Sequence, residues 1–184
     1  MRQKNILGLA RGTIRLVPHS PAWVEVFREE AAALGALLGS DFLAAEHIGS
    51  TAIPGIVAKP VLDMMVAVPS LVVIPRHEPA LISSDWHNRG CPDPQGEHVL
   101  FAKGPEECRT VYLKLTTLDS AFWKECLLFR DYLRAHPQTA QDYEALKLKL
   151  AQELAPDDRK TYTARKASFI RDVIGRASFL PSPR

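Results

Sequence analysis

The chain has 184 residues, of which 46% are hydrophobic and 24% charged, a composition typical of one globular domain with a well-filled core. Its 23 basic and 21 acidic residues leave a formal net charge of +2, which is too balanced to predict a nucleic-acid or membrane surface. Three cysteines without a C-x-x-C spacing predict neither a disulfide framework nor a zinc site, and no apolar run approaches the roughly 20 residues that span a bilayer. We therefore expect a single cytoplasmic domain without an export signal.

The first forty residues predict an arm, a short strand and a helix. Residues 1–12 have no periodic pattern and predict a loose arm, and Thr13–Val17 is a candidate strand. Ser20 is the expected N-cap of a helix that has Pro21 at its first position and ends at Gly39. The apolar stripe of this helix comprises Trp23, Val26, Phe27, Leu34, Leu37 and Leu38. A stripe at this spacing is more often core than ligand contact, so we expect the helix to pack on a sheet.

The stretch from Glu46 to Val68 is the most informative part of the chain. An apolar run over Phe42–Ile48 predicts a strand, which the small residues Gly49–Thr51 end. Such a turn presents backbone N–H groups to a phosphate or carboxylate. After Lys59 a second strand is predicted over Val61–Val68. The order is strand, anion-binding turn, strand.

Asp63 is the only charged residue within the second of these strands. With a side-chain period of two, it shares a face with Val61 and Met65 and lies opposite Leu62, Met64 and Val66. A carboxylate there costs free energy unless it is paired, binds a metal or lines a polar cavity. Two interpretations follow: a functional carboxylate facing the turn, or one paired with a cation such as Lys59 or Arg109 merely to close the sheet.

The segment from Ser70 to Thr116 predicts a loop and two further strands. Ser70–Asp85 is ambiguous, and Trp86–Gly96 is rich in Gly, Pro and Asp, which predicts a loop that flanks the site as a mobile lid. Strands are expected over Glu97–Lys103 and Arg109–Thr116, joined by a hairpin-like turn. The second of them places Val111, Leu113 and Leu115 on one face and Thr110, Tyr112 and Lys114 on the other. That polar stripe suits a sheet whose open face is a binding cleft.

Helical periodicity dominates from Asp119 onwards and predicts three helices. The first ends at His136, the second begins at Pro137, and Asp157 or Asp158 caps the third. The predicted fold class is thus α/β (α+β), a single domain in which residues 13–118 form a sheet-rich core and residues 119–184 a helical layer.

Four motifs resemble the GrpB-like family: HIGSTAIPGIVAKPVLDMMV at 47–66, VPHSPAW at 17–23, FRDYLRAHP at 129–137 and YTARKASFI at 162–170. The resemblance covers almost the whole chain. It implies a fold similar to that of the nucleotidyltransferase superfamily, a mixed β-sheet packed with helices. In that superfamily a Gly-Ser turn faces the triphosphate, and two carboxylates on the next strand hold magnesium.

By this resemblance Gly49 and Ser50 would contact phosphate, and Asp63 would be a magnesium ligand. The second carboxylate position corresponds to Met65, which cannot bind a hard cation. Relatives also carry histidines on a later strand, where this chain has Tyr112 and Lys114, so that Lys114 would place a fixed positive charge where the metal would sit. Further candidates for substrate binding are Thr51, Lys59, Tyr112, Arg130, Arg134 and Lys166, and Arg109 is a candidate electrostatic stabiliser. Arg130 and Arg134 are equally consistent with a solvated helix face.

The leading hypothesis is a nucleotidyltransferase-like enzyme that binds a nucleotide or another phosphorylated small molecule at Gly49-Ser50, with Asp63 as metal ligand or base. A second hypothesis is an enzyme that acts on a small polar metabolite without nucleotide, using Asp63 as general acid or base and Lys114 or Arg109 as stabiliser. The third is a non-catalytic ligand-binding or interaction module. None of them predicts a nucleic-acid or membrane partner, and the oligomeric state stays open.

Overall fold

The computed structural model describes residues 7–92 and 94–179. Its strands are β1 (Ala44–Ile48), β2 (Leu62–Ala67), β3 (Trp86–Asn88), β4 (His98–Lys103) and β5 (Val111–Thr116). Its α-helices are α1 (Ala22–Leu38), α2 (Ile74–Ser83), α3 (Ala121–Ala135), α4 (Pro137–Glu153) and α5 (Arg159–Ser178). The architecture is mixed α+β with a C-terminal helical layer, which confirms the predicted fold class.

The five strands form one mixed sheet in the order β1-β2-β5-β4-β3. The central strands β2 and β5 are parallel, whereas β1 and β4 run antiparallel to them at either side and β3 pairs antiparallel with β4. In this register Asp63 lies between Ile48 of β1 and Tyr112 of β5. The predicted site carboxylate is thus on a central strand of the sheet.

One face of the sheet carries the main core. Leu62, Met64 and Val66 of β2 and Leu113 and Leu115 of β5 are all buried in one apolar cluster with residues of α1 and α2. This alternation follows from the period of two along each strand, as predicted from the sequence.

The opposite face holds a smaller core and the polar residues. Ile48, Met65 and Ala67 are buried there against Trp123 of α3. A third cluster joins α3, α4 and α5 to the loop after β1 through Ile53, Ile56, Phe129, Leu133, Tyr143 and Val173. The helical layer therefore covers the polar face only in part, and a cleft is left beside Asp63.

The predicted capping residue is confirmed for α5 but not for α1, and the structure adds Ser120 as the cap of α3. The Ser120 side chain accepts a hydrogen bond from the Trp123 N–H at the start of α3, and Asp158 accepts one from Thr161 N–H at the start of α5. The prediction for α1 was wrong in detail, because its N-cap is Pro21 and the Ser20 carbonyl, not its hydroxyl, accepts the Trp23 N–H at 3.1 Å.

Three predictions for loops and the arm differ from the structure. The loose arm was predicted for residues 1–12; residues 1–6 lie outside the described residues, but Leu7 is buried, and Leu9 forms an antiparallel bridge with Arg109. The candidate strand Thr13–Val17 is reduced to one bridge between Val17 and Ala58. In the predicted lid Trp86–Gly96, Trp86 is buried in β3 at the far edge of the sheet, so this segment does not flank the Asp63 cleft.

Within the described residues, no helix is long and apolar enough to cross a membrane.

Candidate functional site

The Gly49–Thr51 turn lies directly against Asp63. Gly49 has φ +70°, and a Cβ added there would stand 3.1 Å from both Cβ and Oδ2 of Asp63, so the approach requires glycine. Ser50–Ala52 follows as a single 3₁₀ turn. Nε2 of the buried His47 lies 2.9 Å from Thr51 Oγ1, and this hydrogen bond ties the turn to β1. Because burial lowers the pKa of His47 to about 4, its ring is neutral near pH 7 and has a structural role.

Asp63 and Lys114 form an ion pair on the polar face of the sheet. Lys114 Nζ donates to Asp63 Oδ1 at 2.5 Å, and 35% of the Asp63 side chain is exposed to the cleft. Lys114 is the register partner of Met65 and reaches Asp63 diagonally across the two parallel strands. Met65 itself is fully buried against Trp123. The ammonium group thus stands beside the position where a second carboxylate was expected.

A cavity of about 200 Å³ opens on one side of Asp63, and we call it the cationic cavity. Lys59, Lys147, Arg159 and Lys166 line it together with Ser50 and Thr51 of the turn. Of the residues that the structure describes, Asp63 is the only acidic one in its wall. Four positive groups therefore face one carboxylate, which is already paired.

Two tyrosines hold these cations in place. Lys59 Nζ lies 4.3 Å and Lys166 Nζ 4.7 Å from the centroid of the Tyr162 ring, both within cation–π range. Arg159 Nη1 donates to the Tyr112 hydroxyl at 3.1 Å. The cations converge on the cavity from the loop before β2 and from one face of α5.

Lys59 is half-buried and Lys147 buried in this cavity, and neither forms an ion pair with a carboxylate among the described residues. Burial, together with the positive charges of Lys166 and Arg159, lowers the pKa of Lys59 to about 7. Burial also lowers the pKa of Lys147 to about 7, with Lys166 adding to the effect. Lys147 donates to the Val57 carbonyl, and Glu144 accepts the Val57 N–H at 2.6 Å, so α4 holds the loop that carries Lys59. A bound anion would favour the charged form of both lysines.

A second cavity of about 360 Å³ lies on the other side of Asp63, and we call it the apolar cavity. It shares Ser50, Asp63 and Lys166 with the cationic cavity. The rest of its wall is mostly apolar: Ile48, Phe122, Phe129, Tyr143, Ile170 and Ile174. Cys126 also lines it, and burial raises the pKa of this thiol to about 11, so it stays protonated and unreactive near pH 7.

A family model described as GrpB protein matches residues 13–176 of the chain. The chain belongs to the GrpB family. It is 32% identical to the glutamate-rich protein GrpB of Alkalihalophilus pseudofirmus, over 92% of this chain and 98% of that one. A crystal structure of the conserved protein GrpB from Enterococcus faecalis superposes with a TM-score of 0.81 and 33% identity, covering 89% of this chain and 96% of that chain. These matches confirm the family resemblance drawn from the motifs.

A more distant relative is named dephospho-CoA kinase. This protein of Mycolicibacterium paratuberculosis is 28% identical over 92% of the present chain, which spans 47% of that protein's length. The GrpB-like region is thus about half of the longer protein.

The residues at the site do not fit a magnesium ion held by the protein, although the fold family implies one. Mg²⁺ needs oxygen ligands, usually one or two carboxylates with phosphate and water. Asp63 is bound to the Lys114 ammonium at 2.5 Å, and Met65 is buried. In residues 7–92 and 94–179 there is no group of three or more His, Cys, Asp or Glu side chains arranged to hold a metal. A cation of the protein occupies the place at which the metal was predicted.

Most of the sequence-predicted site residues meet at this cleft. Gly49, Ser50, Thr51, Lys59, Asp63, Tyr112, Lys114 and Lys166 all line one or both cavities. Their assignment to roles in binding or catalysis stays a prediction.

The structure does not bring Arg109, Arg130 or Arg134 to the cavities. The buried Arg109 guanidinium donates to the Gly104 carbonyl in the turn between β4 and β5. Arg130 pairs with Glu46 and donates to the His47 carbonyl, whereas Arg134 donates to the Ala52 carbonyl at 2.9 Å. The last two arginines therefore hold the backbone on either side of the Gly49–Thr51 turn, and neither of them lines the cationic or the apolar cavity.

The sequence reasoning missed Lys147 and Arg159. A detectable signal existed for Lys147, because it stands four residues after Tyr143 and three before Leu150, within the apolar stripe of α4. A lysine inside such a stripe, like Asp63 inside an apolar strand, needs a partner. Arg159 gave a weaker signal, since a basic residue directly after an N-cap is unfavourable at the positive end of a helix dipole.

Proposed function

We propose that this protein is a nucleotidyltransferase-like enzyme that binds a nucleotide or another phosphorylated small molecule in the cleft, with phosphate in the cationic cavity. The observation that carries the proposal is the convergence of Lys59, Lys147, Arg159 and Lys166 on the Gly49–Thr51 turn. Free N–H groups at the start of a helical turn add to the attraction for an anion.

The electrostatics of the ligand-free cleft support an anionic ligand. Like charges in a partly buried site repel one another, and burial disfavours the charged form of each lysine. With a pKa of about 7, Lys59 and Lys147 are therefore each only about half protonated at pH 7. Such a cluster lowers the stability of the protein alone, and a phosphate group that enters it would be bound by charge-assisted hydrogen bonds.

Asp63 is the residue best placed to act as a base. In the proposed transfer the carboxylate accepts the proton of an acceptor hydroxyl, whose oxygen forms a new bond to phosphorus while the bond from phosphorus to the leaving oxygen breaks. The cations of the cavity neutralise the charge that develops on the phosphoryl oxygens. Lys114 orients Asp63 through the 2.5 Å contact. The name of the kinase relative is in keeping with phosphoryl chemistry.

The test is a thermal-shift and calorimetric titration with ATP and AMP, with magnesium and with EDTA. A ligand that binds only the folded state stabilises it by about 2.7 kcal/mol at a hundredfold excess over its Kd. Lys166→Gln should weaken nucleotide binding about tenfold or more, because a charge-assisted contact contributes about 1.5 to 3 kcal/mol. Arg171→Gln is the matched control, since Arg171 is exposed on the same helix and lines neither cavity.

Asp63→Asn, measured for nucleotide binding by the same titrations and for turnover separately, distinguishes a role of Asp63 in catalysis from a role in binding. We expect this variant to keep nucleotide binding in EDTA and to lose turnover. Equal affinity of Lys166→Gln and Arg171→Gln for ATP would refute the phosphate assignment. Binding that requires magnesium and disappears in Asp63→Asn would instead show that Asp63 is a metal ligand.

The Asp63–Lys114 pair favours a second candidate function, an enzyme of the same cleft that acts on a small polar metabolite without nucleotide. In this function Asp63 is the general acid or base and the Lys114 ammonium stabilises charge that develops on the substrate. Its signature is turnover that persists in EDTA and does not require nucleotide.

A further inference from the structure

The apolar cavity lies beside the cationic cavity and has a different chemical character. We propose that it binds the organic group of the same ligand, so that the protein prefers a phosphate ester with an apolar ring over a sugar phosphate. This inference rests on the proposed function and narrows its ligand from a nucleotide or another phosphorylated small molecule to the second of these, because a nucleotide would place its ribose in the apolar cavity.

The two cavities are arranged for a ligand with two ends. Ser50, Asp63 and Lys166 belong to both walls, so a phosphate in the cationic cavity directs its ester group past Asp63 into the apolar cavity. At about 200 Å³ the cationic cavity alone is smaller than the roughly 300 to 1,000 Å³ of typical small-molecule sites. With the neighbouring cavity of about 360 Å³ the site reaches that range.

The charged residues that line each cavity determine which of the two cavities binds the phosphate end of the ligand. Among the described residues, the apolar cavity is lined by two cations, Lys114 and Lys166, and by two acids, Asp63 and Glu125. The cationic cavity has four cations and Asp63. A second phosphate in the apolar cavity would meet no excess of positive charge, so the anionic end of the ligand belongs in the cationic cavity.

The wall that the helical layer contributes to the apolar cavity is pre-formed and mostly apolar. The rings of Phe129 and Tyr143 meet edge to face at 5.3 Å between centroids, and both residues are buried in the helical core cluster. Ile170 and Ile174 continue this wall one helical turn apart on α5. A sugar hydroxyl held against Phe129, Ile170 and Ile174 would lose its hydrogen bonds to water without replacement, whereas an apolar ring would gain from burial.

The experiment compares inorganic phosphate, ribose 5-phosphate and phenyl phosphate as calorimetric ligands of the full chain. We expect phenyl phosphate to bind at least about tenfold more tightly than ribose 5-phosphate, which equals about 1.4 kcal/mol. Cys126→Phe places a ring in the apolar cavity and should abolish this preference. Inorganic phosphate, which needs only the cationic cavity, should bind to this variant as to the parent.

Two further variants distinguish a failure of this inference from a failure of the proposed function. Ile170→Ser changes only a half-buried residue, so it is the second cavity variant in case Cys126→Phe does not fold. It should reduce the tenfold preference for phenyl phosphate. Lys166→Gln should weaken all three ligands together. If none of them binds the parent, the proposed function fails. If phosphate binds and phenyl phosphate has no advantage over ribose 5-phosphate, or keeps its advantage in both cavity variants, the present inference is overturned and the phosphate site stands.

Discussion

Lys59 is one of the two lysines whose protonation state sets the charge of the cleft near pH 7. Its ammonium forms no ion pair with a carboxylate of the described residues; it lies 4.3 Å from the Tyr162 ring and near the charges of Lys166 and Arg159. Burial and these charges bring its pKa to about 7. A group that titrates at this pH makes anion binding depend on pH, because only the protonated amine attracts phosphate.

We predict that affinity for phenyl phosphate falls as the pH rises from about 7 to about 9. Lys59 loses its proton across this window, whereas a phosphate monoester, with a second pKa of about 6, stays almost fully ionised. Calorimetric titrations at several pH values measure the slope. Lys59→Arg, which cannot deprotonate, should bind with a flatter pH profile. Equal slopes for the parent and this variant would show that Lys59 does not control the site.

Single residues show clearly what the sequence could predict and what it could not. Asp63 was found because one charge in an apolar strand needs an explanation, and it does face the turn. Arg109 and Arg130 were assigned to the cleft because charge alone does not reveal where a long side chain turns. Both donate to backbone carbonyls instead, Arg109 to Gly104 and Arg130 to His47, and those partners are set by tertiary packing.

At the scale of elements, α5 is the part of the helical layer that presents the site. Arg159, Tyr162 and Lys166 follow one another at spacings of three and four, so they share a helical face. The Asp158 side chain accepts the Thr161 N–H at 3.1 Å and fixes the first turn of this helix. In α5 the N-cap residue Asp158 therefore directly precedes Arg159, one of the cations of the proposed phosphate site.

We predict that Asp158→Ala lowers both stability and phosphate affinity. Loss of an N-cap costs about 1 kcal/mol, and the first turn that frays here carries Arg159. Ser120→Ala is the matched control, because it removes the cap of α3, where Ser120 accepts the Trp123 N–H at 3.0 Å. Urea unfolding should show similar losses of stability in the two variants, while calorimetry shows weaker phosphate binding in Asp158→Ala alone. Equal phosphate affinity in the two variants would show that the N-cap of α5 does not contribute to phosphate binding.

Elements with a clean periodicity were predictable, and those without it were not. The bounds of β2 and β5 and of the three C-terminal helices follow the apolar patterns because each packs one regular face into a core. The pattern of α2 is ambiguous because Pro75 and Pro79 interrupt it. The sequence of β3 predicts a loop, because only Trp86 is buried in this short strand and its pairing with β4 defines it.

At the scale of the whole molecule, the cleft lies where two layers meet over a cluster of like charges. The Gly49–Thr51 turn and Lys59 belong to the sheet layer, and Lys147, Arg159 and Lys166 to the helical layer. Repulsion across this boundary opposes the packing of the layers. A lower free energy of unfolding in exchange for a charged binding site is a common trade-off between stability and function.

Lys59→Met should therefore stabilise the free protein and abolish most of its response to phosphate. The pKa of Lys59 is about 7 in the folded state, against an ordinary value of 10.5, so the unfolded chain binds more protons between these values. Over that window the Lys59 contribution makes the stability of the parent rise with pH. The advantage of Lys59→Met should be largest at or below about pH 7 and shrink towards about pH 10.

Urea unfolding of the parent and Lys59→Met at about pH 6 and about pH 9, each with and without phosphate, measures this difference. Lys160→Met is the control, because Lys160 is exposed at the start of α5 and lines neither the cationic nor the apolar cavity. A stability gain that is the same at both pH values would mean that added apolar packing, not relief of charge, stabilises the variant. The expected result is a gain in the free energy of unfolding at about pH 6 together with loss of the stabilisation by phosphate. It would show that the Lys59 charge, which opposes the packing of the two layers, is also the charge that binds the anion.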